Sequence, residues 1–499
     1  MSRRPVRVRV ARPGWRGRVS ELRVVSTPVA VPEVARRAAQ GGAAAAWYVP
    51  VPGDAAAWRS RALAIRDEFS GRRWADALAP ALAASGAAAA RLARVVDAGG
   101  IVVTTGQQAG LFGGPIYTWS KALSAIALAD AIEDATDVPV APVYWAATYD
   151  ADFAEASTTY VASDGRVLTL SLPEPARAGR RMADTPLGDV SALLEVLAGA
   201  TGAALAPDVL DVVRRTYAPE ATIGGAFVAL LRAFLEPLGM PVLDAGHPAV
   251  QAVERPLMQR ALTEAAAVDA ALRERDAALR AQGFAPQVDS VPKLSLVFEA
   301  GEGERRRLPI GTRLTDVSAP LEPNVLLRPV AERAMLPTVA YVAGPGELAY
   351  FAQATAVAAA LRAAAPLAVP RWSGVIVEPH VQRILDRYGL GVDDLRDPHA
   401  ALGRLMRDRL PPNVAAALAG YRAALDEAAS RLDAALAETA PPLLPPAVPN
   451  GARRGMAHRL DRLERRVLAA TKRREGELAH HVAVARAALF PLDRPPERT

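Results

Sequence analysis

A glycine-rich loop between a short apolar run and a helical stretch is the first segment in which chemistry is expected. The run Ile101–Thr105 is β-branched and is followed by GQQAGLFGGP over 106–115. Glycines allow a backbone to approach a ligand closely, and the amides at a helix start favour an anion. Gln107 and Gln108 add hydrogen-bonding groups to an otherwise apolar segment, and Lys121 lies one to two turns into the helix. We therefore predict an anion or carboxylate site, with Lys121 reaching back to the bound group.

The spacing of these glycines excludes two common nucleotide motifs. Neither the Walker phosphate loop, GxxxxGK[ST], nor the dinucleotide fingerprint, GxGxxG, occurs in the segment. A plain tight turn would also use glycines and is the structural alternative. The pattern therefore indicates a binding loop without identifying its ligand.

An acidic turn follows the next apolar run of strand length. Asp150 and Asp152 come soon after the run Val138–Trp145. Ligands of open parallel sheets bind beyond the carboxyl ends of the strands, so these carboxylates lie where a site is expected. They could bind a substrate ammonium group or act as general bases, whereas the structural alternative is a helix cap or a solvated turn. The histidines show no ligand spacing, and we predict no metal site.

Rare residue types give a second guide to the site. The chain contains three lysines and three asparagines among 499 residues, because alanine and arginine dominate its composition. A residue of either rare type is expected where its side-chain chemistry is specified. This argument favours Lys121 and Asn324.

Two strand–loop–helix units predict an α/β core built around one sheet. The first runs from Ile101 to about Glu133, and the second joins Val339–Ala343 to Glu347–Arg362 through Gly344–Gly346. Between these units the pattern is mostly helical, which predicts an insertion within the sheet. The further β segments are a strand at Val242–Asp244 and hairpins over 158–172 and 294–310.

Beyond about residue 390 the pattern is helical, and apolar residues recur at spacings of three and four. This spacing predicts an antiparallel coiled-coil hairpin, and its apolar surface predicts a homodimer. The cationic run over 453–474 could bind nucleic acid, but a solvated helix flank is the commoner explanation. The seam residues are Leu418, Tyr421, Leu425, Ala428, Leu432 and Ala435, followed by Leu460, Leu463, Val467, Ala470, Leu478 and Val482.

Composition narrows the classes of protein that fit. The chain has 51% hydrophobic residues, a net charge of +6 and no cysteine, so it has ample core material and no thiol chemistry of its own. The uncharged window Ala98–Ser120 contains six glycines, which argues against a membrane span. No apolar run follows the N-terminal arginines, so no signal peptide is expected. We expect a cytoplasmic protein of about three structural units.

Five segments of the sequence resemble one known family. They match the cysteine-adding enzymes of bacillithiol biosynthesis, and the first is long enough to be specific. The segments are TGQQAGLFGGPIYTWSK at 105–121, PVYW at 142–145, PNVLLRPV at 323–330, LPTVAYVAGPGELAYFAQ at 336–353 and the helical stretch 463–490.

The resemblance implies a fold and a reaction. The fold is a Rossmann-like core related to class I nucleotidyltransferases and aminoacyl-tRNA synthetases, with a connecting-peptide insertion and a C-terminal coiled coil that dimerises. The reaction joins cysteine to the amino group of glucosaminyl malate through an amide bond, with ATP or ADP as the expected nucleotide. The corresponding segments are 1–170 for the first part of the core with N-terminal helices, 171–310 for the insertion plus a core strand near 242–244, 311–390 for the second part of the core and 391–499 for the antiparallel coiled-coil hairpin.

The matched segments also imply a set of site residues. Lys121 and Arg328 are expected to neutralise malate carboxylates or phosphate, and Asp150 and Asp152 to hold an ammonium group. The predicted catalytic residues are Asp150, Asp152, Gln107 and Gln108. The predicted binding residues are Gly106, Gly110, Gly113, Gly114, Tyr117, Thr118, Lys121, Asn324, Arg328, Gly344, Gly346, Glu347, Tyr350 and Gln353.

The acidic turn departs from the family pattern and keeps an alternative open. The family has EDHDF where this chain has Tyr149-Asp150-Ala151-Asp152-Phe153, so a glutamate and a histidine are missing. The alternative is a divergent, non-catalytic paralogue that keeps the ligand pocket as a binding or assembly protein. An aminoacyl-adenylate or RNA-directed activity is a further rival, which the missing HIGH and KMSKS-type motifs oppose.

Overall fold

A computed structural model describes most of the chain. The described residues are 22–28, 30–175, 179–201, 207–301, 305–314, 319–439, 441, 443–495 and 497. The N-terminal arginines considered above therefore lie outside the described residues. The strands are β1 (Arg23–Ser26), β2 (Ile101–Gln108), β3 (Val140–Ala147), β4 (Thr158–Ser163), β5 (Arg166–Ser171), β6 (Val242–Asp244), β7 (Leu294–Ala300), β8 (Arg305–Pro309), β9 (Leu321–Pro323), β10 (Thr338–Ala343), β11 (Ala368–Pro370) and β12 (Gly374–Val377).

The helices separate most of these strands. They are α1 (Glu33–Ala39), α2 (Ala55–Glu68), α3 (Trp74–Leu82), α4 (Gly86–Asp97), α5 (Ile116–Thr136), α6 (Phe153–Ala156), α7 (Ser191–Thr201), α8 (Pro207–Thr216), α9 (Ile223–Leu235), α10 (Pro248–Thr263), α11 (Ala265–Ala281), α12 (Arg328–Met335), α13 (Pro345–Ala360), α14 (Pro379–Tyr388), α15 (Pro398–Asp408), α16 (Pro412–Ala437), α17 (Ala447–Arg474) and α18 (Gly476–Leu489). Each β segment predicted from the sequence is present, with ends that differ by a few residues.

The chain divides into two compact units. The core unit contains residues 26–161, 169–375 and Glu497, and the helical unit contains 22–25, 162–168 and 376–495. The boundary near residue 375 lies before the one placed at 390 from the sequence. Helix α14 therefore lies in the helical unit.

The core unit is built on one parallel sheet in the order β11-β10-β2-β3-β6. This order confirms the predicted Rossmann-like α/β core. The first strand, β2, is central, and the chain moves to one side through β3 and β6 and to the other through β10 and β11. The carboxyl ends of β2 and β10 therefore flank the point where the connections diverge, which is the usual ligand crevice of such sheets.

The strands of the central sheet are apolar along their length because both faces of the sheet are buried. Every residue of β3 is buried. Alternate side chains point to opposite faces, so Tyr144 packs in the cluster that contains α5 and Trp145 packs in the cluster that contains α3. The helices thus fix β2 and β10 side by side, and this pairing positions the residues that follow them.

A smaller antiparallel sheet in the order β8-β7-β9 lies in the same unit. It packs with α10 and α11 in a second apolar cluster that includes Met258, Leu272 and Val297. This cluster also contains Tyr341 of β10 and Tyr350 of α13. The insertion therefore supports the β10 side of the crevice.

In the helical unit, α16 and α17 run antiparallel. Arg422 pairs with Asp461 at 2.7 Å, and Asp426 pairs with Arg453 at 3.1 Å, so residue numbers increase along one helix as they decrease along the other. Glu475 separates α17 from α18, which divides the second predicted helix. The predicted hairpin has this antiparallel arrangement, and its coiled-coil packing remains a prediction.

The contact face of α16 differs from the predicted apolar seam. No residue of α16 is buried, and Tyr421 and Leu432 are 64% and 54% exposed. Arg422 takes a place on the contact face, where it pairs with Asp461 and Glu464. Polar pairs therefore replace apolar contacts along part of this face. Within the part of the chain that the structure describes, no helix is both long and apolar enough to cross a membrane.

Candidate functional site

The crevice between β2 and β10 begins at Gly106. Strand β2 continues through Gly106, Gln107 and Gln108, which pair in register with Trp145, Ala146 and Ala147 of β3, whereas the sequence predicted a loop from Gly106 onward. A Cβ atom on Gly106 would lie 2.5 Å from the Trp145 carbonyl oxygen. Glycine is thus required by the close approach of two strands, and the two glutamines are held at the end of a strand.

The glycine-rich loop is closed by its own hydrogen bonds. The Tyr217 hydroxyl donates to the Gly110 carbonyl at 2.9 Å and accepts from the Gly113 amide at 3.1 Å. The Gly114 amide donates to the Leu111 carbonyl at 3.1 Å. Gly113 and Gly114 have φ of 95° and 69°, which glycine adopts without strain. The amides predicted to cradle a ligand are therefore engaged inside the protein, and these glycines shape the loop.

Lys121 is fully buried beneath the crevice. Its Nζ donates to the Gly106 carbonyl at 2.5 Å and to Gln107 Oε1 at 3.1 Å, and it lies 2.6 Å from Glu347 Oε2. An ammonium group has three N–H donors, and these three acceptors use all of them. Burial lowers the Lys121 pKa, and the nearby Glu347 carboxylate opposes this effect. Lys121 therefore joins β2 to α13 instead of reaching toward a bound anion as predicted.

Glu347 connects this lysine to the start of α13. Its Oε2 accepts from the Gly344 amide at 2.6 Å, and its Oε1 accepts from the Tyr341 hydroxyl at 2.5 Å. Burial disfavours the ionised carboxylate, but Lys121 and Arg328 outweigh burial and hold the Glu347 pKa below its usual value. Glu347 is consequently an ionised cap that fixes the helix start at the crevice edge.

A second buried ion pair lies beside the first. Arg328 donates to Glu332 Oε2 at 3.0 Å and to the Tyr350 hydroxyl at 3.2 Å, and its guanidinium lies 4.8 Å from the Tyr341 ring centroid. Burial raises the Glu332 pKa to about 7, although Arg328 lowers it. Near neutral pH a fraction of Glu332 is protonated, and in that fraction Arg328 gives the crevice floor an excess positive charge.

The acidic turn after β3 lies at the other side of Gln107. Asp150 Oδ1 accepts from the Ala151 amide at 2.7 Å, and Asp152 Oδ1 accepts from the Glu155 amide at 3.0 Å, where Asp152 caps the short helix α6. Gln107 Nε2 donates to the Tyr117 hydroxyl at 3.4 Å, and that hydroxyl lies 3.5 Å from Glu155 Oε1. The turn is therefore connected to β2 through polar side chains. Asp152 performs the capping role that was the structural alternative.

Comparison with known proteins identifies the family. The family model described as "Bacillithiol biosynthesis BshC, N-terminal Rossmann-like domain" matches residues 76–318 and 310–372. The chain belongs to the BshC family. Two similar proteins are each named "Putative cysteine ligase BshC". One, from Solibacter usitatus, is 32% identical across 85% of this chain and 82% of its own length, and the other, from Koribacter versatilis, is 31% identical across 80% and 78%.

In this BshC chain most of the predicted site residues outside the glycine-rich loop fall into two groups. The half-buried residues that border the crevice are Gln107, Gln108, Tyr117, Asp150, Gly344 and Glu347, with Gly346 exposed at its edge. The buried residues beneath it are Gly106, Lys121, Arg328 and Tyr350, and Thr118 is buried under Gly114. The first group can contact a ligand, while the second fixes the positions of the first.

Two predicted residues do not join this cluster. Asn324 Oδ1 accepts from the Leu326 and Leu327 amides at 3.1 and 3.0 Å, so it caps the turn before α12. Gln353 donates to Asp276 at 2.9 Å and to the Val288 carbonyl at 2.8 Å. Asn324 serves local structure, whereas Gln353 joins distant segments, and both line a separate cavity beside α11 and β7. The rarity of asparagine thus pointed to a cap.

The structure adds residues that the sequence reasoning missed. Tyr341 and Glu332 complete the two ion pairs, and Arg371 lies beyond β11 beside Ser120. The ion pair of Arg328 with Glu332 could have been predicted from the sequence, since the two residues are four apart on a helix. Arg371 gave no such signal, since its partner is distant in the chain. Within the described residues no group of three or more histidine, aspartate or glutamate residues could hold a metal, and the prediction of no metal stays a prediction.

Proposed function

We propose that this BshC chain joins L-cysteine to the amino group of glucosaminyl malate through an amide bond, in the synthesis of bacillithiol. Family membership supports a cysteine ligase. The observation that carries the proposal is the polar rim of the β2–β10 crevice, where Gln107, Gln108, Tyr117 and Asp150 stand over a buried charged floor. Small polar substrates fit such a site better than an apolar ligand does.

The rim suggests a role for each side chain. Gln107 and Gln108 offer amide donors and acceptors to the reacting carboxyl group and amine. Asp150 and the Oδ2 atom of Asp152, whose Oδ1 atom caps α6, hold an ammonium group before reaction. An amine attacks a carboxyl carbon only after losing its proton, so a carboxylate beside it is also suited to accept that proton. Lys121 positions Gln107, and Arg328 adds positive charge below the substrate.

A nucleotide of the ATP or ADP type is part of the proposal, because joining a carboxylate to an amine requires activation of the carboxyl group. The residues present fit such a group. The space beside Gly346 is open, since a Cβ atom there would meet nothing within 4 Å. In the first turn of α13, the Gly346 and Glu347 amides have no intrahelical acceptor, since residue 345 is proline, and such amides favour negative charge. Gly344, Gly346 and the rim glutamines would hold the nucleotide, which would supply the activating group.

A homodimer in the cytoplasm completes the proposal. The exposed apolar side chains Tyr421, Leu432 and Leu463 of α16 and α17 support self-association, since a symmetric partner could cover them. Bacillithiol synthesis uses small soluble substrates, which suits a cytoplasmic location.

The alternative is a non-catalytic paralogue that keeps the pocket. One observation favours it: Ala151 brings no ionisable group to the acidic turn, and the Tyr149 side chain is buried. Burial raises the Tyr149 pKa, while Arg328 and Arg305 lower it, so the phenol remains protonated at neutral pH. Tyr149 thus supplies no carboxylate for acid–base work.

Incubation with cysteine, glucosaminyl malate and ATP, followed by mass spectrometry, tests the proposal directly. We expect the thiol product with the natural chain and at least a tenfold lower kcat/KM with Gln107→Ala, because this substitution removes an amide that borders the reacting groups. Gln282→Ala is the matched control, since Gln282 is exposed at the end of α11. Nucleotide binding without product would favour the paralogue, and equal activity of both variants would contradict the role of Gln107.

A further inference from the structure

Arg371 is a buried arginine that the proposed reaction does not use. Its side chain is 2% exposed, and its Nη1 and Nη2 atoms lie 2.9 Å from the two carboxylate oxygens of Glu497. The Ser373 hydroxyl donates to Glu497 Oε2 at 2.7 Å. Two guanidinium donors and one hydroxyl therefore bind a single carboxylate in a fork geometry that suits carboxylates and phosphates equally.

Arg371 lies at the edge of the same crevice. Its backbone amide donates to the carbonyl of Ala343, the last residue of β10, at 2.9 Å. Its Nη1 atom lies 3.5 Å from the hydroxyl of Ser120, the residue before Lys121. Its Nε atom lies 3.8 Å from the position that a Cβ on Gly344 would occupy. The guanidinium is thus placed between α5 and the start of α13.

The arginine has donor capacity that Glu497 does not use. Nε is buried and has no hydrogen-bond partner among the described residues. A buried donor without an acceptor is unfavourable, and a larger anion with three or more oxygens could satisfy it. The site is therefore more complete for a phosphate or for a ligand with several carboxylate oxygens than for one glutamate.

Glu497 differs from the other carboxylates of the crevice in how it is held. Glu332 and Glu347 belong to α12 and α13, which pack on the sheet. Glu497 belongs to none of the core helices or strands and lies 126 residues from Arg371 in the chain. Its carboxylate is therefore held at Arg371 by side-chain contacts and not by membership of the sheet or its helices.

We propose that Arg371 and Ser373 form an anion subsite of the crevice, which Glu497 occupies in the absence of ligand and yields to a carboxylate or phosphate group of the substrate. The subsite rests on the proposed function for the identity of that substrate. Glucosaminyl malate would bring carboxylates, and ATP would bring phosphates. Glu497 then acts as an internal competitor that keeps the buried arginine neutralised until the ligand binds.

Opposite effects of the two partners test this proposal. By calorimetry with glucosaminyl malate and with ATP, separately, Glu497→Gln should bind one of them about three- to tenfold more tightly, because the competing charge is gone. Arg371→Gln should bind the same ligand at least tenfold more weakly. The ligand that responds identifies the source of the anion. Weaker or unchanged binding of both ligands by Glu497→Gln would overturn the proposal.

Two further measurements distinguish a failure of the subsite proposal from a misfolded variant and from a failure of the proposed reaction. Because Ser373 also donates to Glu497, Ser373→Ala is made in the Glu497→Gln variant, where it should weaken the responding ligand a few-fold even if Arg371→Gln fails to fold. Unchanged binding by Ser373→Ala would count against the subsite. Tighter binding by Glu497→Gln without product formation would contradict the ligase and leave the subsite standing. Product formation without any change in ligand binding would support the ligase and contradict the subsite.

Discussion

At the scale of single residues, the crevice is organised by paired charges. Lys121 and Glu347 form one buried pair, and Arg328 and Glu332 form another within reach of Tyr350. Removing one partner of a buried pair leaves an uncompensated charge and costs about 3–5 kcal/mol. The half-buried Gln107 is oriented by this arrangement because its side chain accepts from Lys121. Positioning and charge therefore come largely from the buried residues Lys121, Arg328 and Glu332, while Glu347 joins them to the edge of the crevice.

Glu332 gives a prediction about pH. Its pKa is raised by burial from the unfolded value of 4.5 to about 7. The folded chain therefore binds a proton more tightly than the unfolded chain does. The resulting contribution to the free energy of unfolding is fully present below pH 4.5 and is lost as the pH rises through 7. A shift of this size corresponds to about 3 kcal/mol. Glu332→Gln should remove this part of the pH dependence.

The measurement is chemical unfolding of the natural chain and Glu332→Gln between pH 4.5 and 8. The difference between their free energies of unfolding should change by about 3 kcal/mol across this range, with the variant gaining relative stability as the pH rises. A constant difference would show that Glu332 titrates normally in the folded chain. The exposed Glu438, at the end of α16, offers Glu438→Gln as a matched control.

At the scale of elements, the contact between β2 and β3 fixes where the crevice begins. Gly106→Ala should lower the free energy of unfolding by about 1–3 kcal/mol, because the new methyl group would overlap the Trp145 carbonyl and force the strands apart. Gly346→Ala should not destabilise the chain, since nothing lies within 4 Å of the added atom. Thermal and chemical unfolding of both variants would check this contrast. Equal stability of the two would contradict the close approach at Gly106.

At the scale of the whole molecule, the exposed apolar residues of α16 and α17 predict a homodimer. Leu432→Glu should convert the chain to a monomer in light scattering at micromolar concentration, because a charge cannot be buried in an apolar interface without a partner. Leu443→Glu is the matched control, since Leu443 is 70% exposed and lies between the two helices. A monomeric natural chain, or dimers with both variants, would contradict an interface through this face.

The α/β core, eight of the strands and the glycine-rich loop after β2 could be predicted from the sequence alone. The short strands β1, β9, β11 and β12 were not predicted, because three or four residues carry too little pattern. Periodicity and glycine placement are local properties, so they could be read without contacts. The resemblance carried by 105–121 likewise indicated the family, which the comparisons confirm. The antiparallel hairpin followed from two apolar repeats and the break between them.

The roles of the side chains predicted to form the site depend on contacts between distant segments. Lys121 has the right type and spacing for an anion contact, but Gly106, Gln107 and Glu347 take all its donors. Arg371 gave no local signal because its partner Glu497 is distant in the chain. The sequence specifies which groups are available, while burial and the pairing of distant segments decide which groups remain free to meet a ligand.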